Sequence, residues 1–205
     1  MFSESAIISY LTGVPGSGKS YSTVRWILED FIPNEDGVIY TNLPLHIDKI
    51  CEYFKKKGYD PDIIRNRLKL IPSEALRRWK TIDQDTGLPS KNPDYVKPSD
   101  DQDSANLDYC EMQYSFLGPW LYFQHLDLTG ALLIFDEIQE LVHINSHRKL
   151  KVEWGNWLST IRHEGCRILV MTQRDNRVPK EVKDIAESNF EIISNKTDKF
   201  KYLPI

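Results

Sequence analysis

The sequence predicts an α/β fold: a mainly parallel β-sheet flanked by helices. Two observations carry this. Short apolar runs alternate with stretches of helical periodicity at both ends of the chain, as strand, helix, strand before residue 45 and again after residue 130. Those runs are unbroken rather than alternating, as in Leu132-Leu133-Ile134-Phe135 and Ile168-Leu169-Val170-Met171, which suits strands covered on both faces. At 205 residues the chain can form one sizeable core. We read it as one domain, residues 1–205, with an insertion at about 46–129.

The elements follow in order. Ala6 to Thr12 is apolar and partly β-branched and ends at a glycine-rich turn, so it reads as a buried strand. Ser20 to Phe31 carries Val24, Ile27, Leu28 and Phe31 at helical spacing, and Pro33 is expected to stop it. Gly37 to Asn42 reads as a second strand, closed by Pro44. Helices are expected over Asp48–Lys57, Pro61–Leu70 and Ser73–Lys80. Residues 81–106, rich in Asp, Pro, Ser and Gly, read as an exposed loop, and order returns with aromatic Tyr109 to Leu126. Gly130 to Glu137 is the clearest strand. A helix around Trp154 to His163 and a strand from Arg167 to Gln173 come next, then a short helix at Glu181–Ala186. Phe190–Ile193 and Phe200–Leu203 read as a terminal strand pair.

Composition narrows the function classes. The chain is 40% hydrophobic and 27% charged, as in ordinary globular proteins. A net charge of −4 gives no overall basic character, yet a local basic face would be enough to meet nucleic acid. No run approaches the roughly 20 apolar residues of a membrane span, and Met1 to Ser5 lacks the makings of a signal peptide. Cys51, Cys110 and Cys166 form no CxxC pair and read as free thiols. His143 and His147 share a helical spacing but have no third metal ligand.

The chemistry lies in two segments. Gly13-Val14-Pro15-Gly16-Ser17-Gly18-Lys19-Ser20 is the full phosphate-loop pattern, set between a predicted strand and a predicted helix. Glycines let successive N–H groups turn inward onto phosphate oxygens, and the helix N-terminus faces the same anion. Lys19 supplies a positive charge near the β- and γ-phosphates, and the Ser20 hydroxyl can ligate Mg²⁺. ATP and Mg²⁺ are therefore the expected ligands, and hydrolysis of ATP to ADP and phosphate the expected reaction of a P-loop NTPase.

The second segment is Asp136-Glu137, at the end of the clearest strand. It looks like a Walker B pair: Asp136 would hold Mg²⁺ through water, and Glu137 would orient or deprotonate the attacking water. An adjacent catalytic Glu resembles the additional-strand (RecA/AAA-like) ATPases, which insert a strand between those of the phosphate loop and the acidic pair. Residues 167–173 supply that candidate strand, with Gln173 at its end as a γ-phosphate or water sensor, or an ordinary strand-end residue. Arg162, then Arg174, then Arg148 are candidates for an arginine finger, in one chain or from a neighbouring subunit. Trp154 and Trp157 read as core or subunit contact rather than a base-stacking platform.

Residues 49–80 hold ten Lys/Arg against four Asp/Glu, and residues 81–112 hold two against eight. The basic stretch could track a nucleic-acid backbone. It could equally be a solvated face neutralised by the acidic loop after it.

Gly13 to Tyr21, Tyr40-Thr41-Asn42, Ile134 to Gln139, and Arg162-His163-Glu164-Gly165 leading to Met171-Thr172-Gln173 occur in that order. Together they resemble the cytoplasmic ATPase domain of the zonular occludens toxin family, which includes assembly proteins of filamentous phages. The resemblance covers about residues 6–45 and 130–192. It implies an ATP-hydrolysing motor that moves phage DNA and acts as a homo-oligomeric ring, with capsid or membrane assembly proteins as partners. By position, Lys19, Ser20, Asp136 and Glu137 take the roles above, and Asn42 lies in a family motif without an assigned chemical role. Filamentous-phage assembly proteins carry a membrane span after this domain, and this chain stops at Ile205 without one. The genome-packaging ATPases of tailless, membrane-containing phages resemble the pattern too. Packaging and extrusion both remain open, in the host cytoplasm or at a packaging vertex of the virion. Two other readings stay open: a nucleotide-gated interaction module at a membrane or capsid, and a P-loop small-molecule kinase with 46–129 as its lid.

Overall fold

The computed structural model describes residues 7–71, 80–82, 89–91, 123, 126–146 and 148–193. Six strands form one sheet: β1 (Ile8–Thr12), β2 (Ile39–Thr41), β3 (Leu68–Leu70), β6 (Leu132–Phe135), β7 (Arg167–Thr172) and β8 (Ser188–Glu191). Their order is β3-β2-β6-β7-β1-β8, and every neighbouring pair is parallel. The strand at 167–172 thus lies between the strand before the glycine-rich loop and the strand before the acidic pair, as the additional-strand reading requires.

Both faces are buried, which explains the unbroken apolar runs. Leu133, Phe135, Ile168 and Val170 point into one core, Leu132, Ile134, Leu169 and Met171 into the other. The first core is closed by helix α5 (Arg148–Ile161) and the short α6 (Lys180–Lys183). Its centre is aromatic: Phe135 at the end of β6 packs edge-on to Trp154 at 5.8 Å, and Trp157 stacks on Phe123. Trp154 is core and Trp157 is half-buried against it. The second core is closed by α1 (Lys19–Trp26), α2 (Ile47–Lys56) and α3 (Pro61–Arg67).

Three expectations need correcting. Helix α1 continues through a π turn at Ile27–Phe31 and a final α turn at Ile32–Asn34, past the proline expected to end it. Pro33 opens that last turn, where its missing N–H is not needed. The expected helix Pro61–Leu70 stops at Arg67, whose guanidinium is held by the carbonyls of Gly37 and Ile32. The next three residues become β3, pairing with β2 from Ile39↔Leu68 to Thr41↔Leu70. The stretch read as a loop from 81 contains strand residues. β4 (Lys80–Ile82) pairs antiparallel with β5 (Pro89–Lys91), which β-branched Thr81 and Ile82 favour. The remaining residues of the 73–80 helix, the rest of 81–106, most of 109–126 and the 200–203 strand lie outside the described residues.

Α fourth helix, α4 (Ile138–Leu141), follows the acidic pair directly. Because the strands are parallel, Thr12, Thr41, Phe135 and Thr172 all end on the same edge of the sheet. The candidate functional residues follow those ends.

Candidate nucleotide-binding site

The loop from Gly13 to Gly18 leaves β1 and enters α1. Gly18 has φ 95°, a left-handed conformation that a side chain would strain, immediately before the first helical residue. At Gly13 a Cβ would come within 2.6 Å of Ser17 Oγ and 2.9 Å of the Ile192 carbonyl oxygen, so no larger residue fits there. The α1 N-terminus has no side-chain cap, so its first N–H groups are not taken by a local side chain.

Two observations show that the loop fits an anion. Ser17 is buried, and its Oγ has no hydrogen-bond partner among the described residues. Lys19 is 5% exposed and turns its ammonium back on the loop, donating to the Gly13 carbonyl at 2.7 Å and the Val14 carbonyl at 3.3 Å. Burial pulls the Lys19 ammonium down, while Glu137 and Asp136 pull it up. An oxyanion in the loop would give both groups a partner. Val14, Pro15 and Gly16 form the exposed outer rim, Ser20 is exposed in the first turn of α1, and Tyr21 beside it is half-buried.

Asp136 and Glu137 leave β6 on the same edge. The side chain of Asn42, just beyond β2, is bonded to the Asp136 backbone in both senses. Its Nδ2 donates to the Asp136 carbonyl at 2.9 Å, and its Oδ1 accepts the Asp136 N–H at 2.7 Å. An amide side chain thus extends the β2–β6 ladder by one rung and holds the Asp136 backbone in place. No pattern of residue types announces this; it needs the adjacency of the two strands.

The Asp136 carboxyl is pushed up to about 6. Burial is the main cause and the Glu137 charge the second; the Glu137 N–H bonded to it and Lys19 oppose them. The ionised form is the costly one in the folded chain, so this cost is absent below the carboxyl's ordinary range and fully present above about pH 6. Asp136→Asn is therefore expected to stabilise the nucleotide-free protein at pH 7.5 by on the order of 1–3 kcal/mol. The gain should vanish near pH 4, while Mg²⁺-dependent nucleotide binding is lost. Thermal melts of both proteins across that range, with and without Mg²⁺ and ATP, check this; a lower melting point for the variant at pH 7.5 would contradict it.

Glu137 has φ 50° and ψ 52°, the only non-glycine residue with positive φ among the described residues. Its Oε2 accepts from Gln139 Nε2 and, at 3.4 Å, from the backbone N–H of Gln173. Gln139 is bonded in turn to the Thr172 hydroxyl. Gln173 thus reaches the site through its backbone, and its side chain is exposed. Gln139 and Thr172 stood in the family pattern but were not singled out as site residues.

Arg162 is not brought to this edge. It follows α5 in a 3₁₀ turn ahead of β7 and pairs with Glu187, just ahead of β8, at 3.6 Å. That is the end of the strands opposite the glycine-rich loop. Arg174, just past β7, is exposed on the loop's side. Among the described residues no group of three His, Cys, Asp or Glu could share a metal ion. Ser20 and Asp136 are the residues that could hold Mg²⁺ beside a bound phosphate.

Fold and loop together define the class, a P-loop NTPase fold of the additional-strand kind. The sequence matches the family described as zonular occludens toxin (Zot) over residues 7–88 and 101–201, and the chain belongs to that family. No curated protein matches it. Its structure is similar to the N-terminal domain of zonular occludens toxin from Neisseria meningitidis, with a TM-score of 0.53 and 24% identity over 94% of this chain and 79% of that one. At that identity what is shared is the fold. It is also similar to the genome packaging NTPase B204 from Sulfolobus turreted icosahedral virus 2 in complex with ATP-gammaS, at a TM-score of 0.46 and 15% identity, over 88% of this chain and 72% of that one. No helix among the described residues is long and apolar enough to cross a membrane.

Proposed function

We propose that this chain is an ATP-hydrolysing motor that moves viral DNA during phage assembly, by genome packaging or virion extrusion. One observation supports hydrolysis above all: the buried Lys19 ammonium and the Asp136-Glu137 pair lie on one sheet edge, close enough that both carboxyl groups act on Lys19 and that Lys19 acts on Asp136. In this reading the loop N–H groups and Lys19 hold the ATP phosphates. Ser20 and Asp136 hold Mg²⁺, which neutralises charge on the phosphates when bound. Glu137 takes the proton of the attacking water. The Asp136-Glu137 pair, which resembles that of the additional-strand ATPases, favours transfer to water over transfer to a small acceptor.

Family membership supports the task. We place the protein in the host cytoplasm or at a packaging vertex, as a homo-oligomeric ring working with capsid or membrane assembly proteins. In such a ring Arg162 can serve only a neighbouring copy's nucleotide, because it lies at the wrong end of its own sheet. Arg174 is on the correct edge for its own site.

The test is the rate of phosphate release from ATP with and without single- and double-stranded DNA. The expected result is Mg²⁺-dependent turnover that DNA accelerates several-fold, with salt weakening the effect. Turnover indifferent to both DNAs would favour a nucleotide-gated interaction module, and γ-phosphate appearing on an acceptor would favour a kinase.

A further inference from the structure

We propose that Gln139 and Thr172 form a positioning relay that fixes the Glu137 carboxylate by tying it to the end of β7; this rests on the reading of Glu137 as the water-activating group. The relay is buried, with Gln139 5% and Thr172 0% exposed. Its bonds run from the Arg174 N–H to Thr172 Oγ1 at 3.0 Å, from the Thr172 hydroxyl to Gln139 Oε1, and from Gln139 Nε2 to Glu137 Oε2.

A backbone N–H can only donate, so at Arg174 the Thr172 oxygen accepts. Its proton goes to the Gln139 carbonyl oxygen, and the Gln139 NH₂ faces Glu137. The reverse orientation would set the amide oxygen against the Glu137 carboxyl oxygen, with both ends buried or half-buried. The relay therefore presents a donor to Glu137 Oε2 and selects a single placement for that side chain.

Two further features show that the placement is imposed. Glu137 adopts the left-handed backbone conformation, which costs a non-glycine residue on the order of 1 kcal/mol and persists where surrounding contacts over-determine it. Its Oε2 also accepts the Gln173 N–H, a second bond from the same strand end. Oε2 is thus committed, and Oε1 has no hydrogen-bond partner among the described residues. The oxygen left over is the one that would meet water. A catalytic base displaced by about 1 Å can lose on the order of 100-fold in rate, so a mis-set carboxylate is costly even where the fold is intact.

The experiment compares Thr172→Val, which keeps the shape and removes the hydroxyl, with Thr172→Ser, which restores it, and with Gln139→Met. Steady-state ATP turnover, nucleotide affinity and melting temperature are measured for each, beside Glu137→Gln. The expected result is that Thr172→Val and Gln139→Met lower kcat by about 10- to 100-fold with the nucleotide Kd within about 2-fold, and that Thr172→Ser recovers most of the loss. Adding Thr172→Val to Glu137→Gln should lower turnover no further, because the relay acts only through that carboxylate. Unchanged kcat in Thr172→Val or Gln139→Met, or Kd weakening in step with kcat, or no recovery in Thr172→Ser, overturns the relay. Full turnover in Glu137→Gln instead overturns the role of Glu137 itself, so the two failures are distinguishable.

Discussion

Replacing Glu137 by Gln is expected to reduce ATP turnover by at least ~100-fold while leaving ATP binding intact, since a positioned general base contributes about 10²–10⁴-fold. The substitution is close to isosteric, and a Gln oxygen at 137 can still accept the Gln139 N–H that now ends on Glu137 Oε2. What disappears is the charge and the capacity to take a proton. The loss of a negative charge beside Lys19 and the incoming phosphates should leave ATP affinity equal or a few-fold tighter. Phosphate release under single-turnover conditions and an equilibrium titration with nucleotide separate the two quantities. Undiminished release would remove Glu137 from the reaction, whereas parallel loss of binding and release would show that its part is in holding the loop.

Lys19→Ala is expected to act on binding. In the free protein the ammonium rests on the carbonyls of Gly13 and Val14, an arrangement that holds the cation inside the loop at the point where phosphate oxygens would converge. A charge-assisted contact to phosphate in so buried a place is worth about 2–4 kcal/mol, so the affinity for ATP should fall by roughly 30- to 1000-fold. Stability should change little, because two effects oppose each other. Removing the cation relieves the burial that pulls its ionisation down, and it also deprives Asp136 and Glu137 of their counter-charge. A melting curve within a few degrees of the parent, alongside the loss of nucleotide-induced stabilisation, is the expected pair of results. Retention of that stabilisation would mean that the nucleotide is held elsewhere.

The parts of the fold visible in the sequence are those where one local rule dominates. The strands at 132–135 and 167–172 are covered on both faces, so Leu132–Phe135 and Ile168–Met171 are apolar without interruption. The loop at 13–18 is written in glycines because its backbone demands them. The edge strand at 68–70 was missed because it is short and follows a helix without a turn residue, and because only one of its three residues is buried. Its identity depends on β2 lying alongside. The same limit applies in the site. Lys19, Asp136 and Glu137 could be found from residue type and neighbours, since their chemistry is local. The ties from Asn42 to Asp136 and from Thr172 to Gln139 span 94 and 33 residues and exist only once the strand order is known. Arg162 is placed by the complementary rule: its type suits a finger, but the direction of β7 carries it to the end of the sheet away from its own glycine-rich loop.

Phe135 is both the last residue of β6 and the ring against which Trp154 packs, 5.8 Å away, with Trp157 at 6.0 Å and the two indoles 5.8 Å apart and nearly perpendicular. Asp136, the carboxyl group proposed to hold Mg²⁺, is thus covalently joined to a ring that packs against both indoles. Indoles so close and so oriented couple optically, and their near-ultraviolet dichroism depends steeply on separation and angle. A displacement of Asp136 on nucleotide or metal binding would be transmitted to that signal through one peptide bond. The protein therefore carries its own optical gauge, readable without any label, on the strand where hydrolysis is expected to begin.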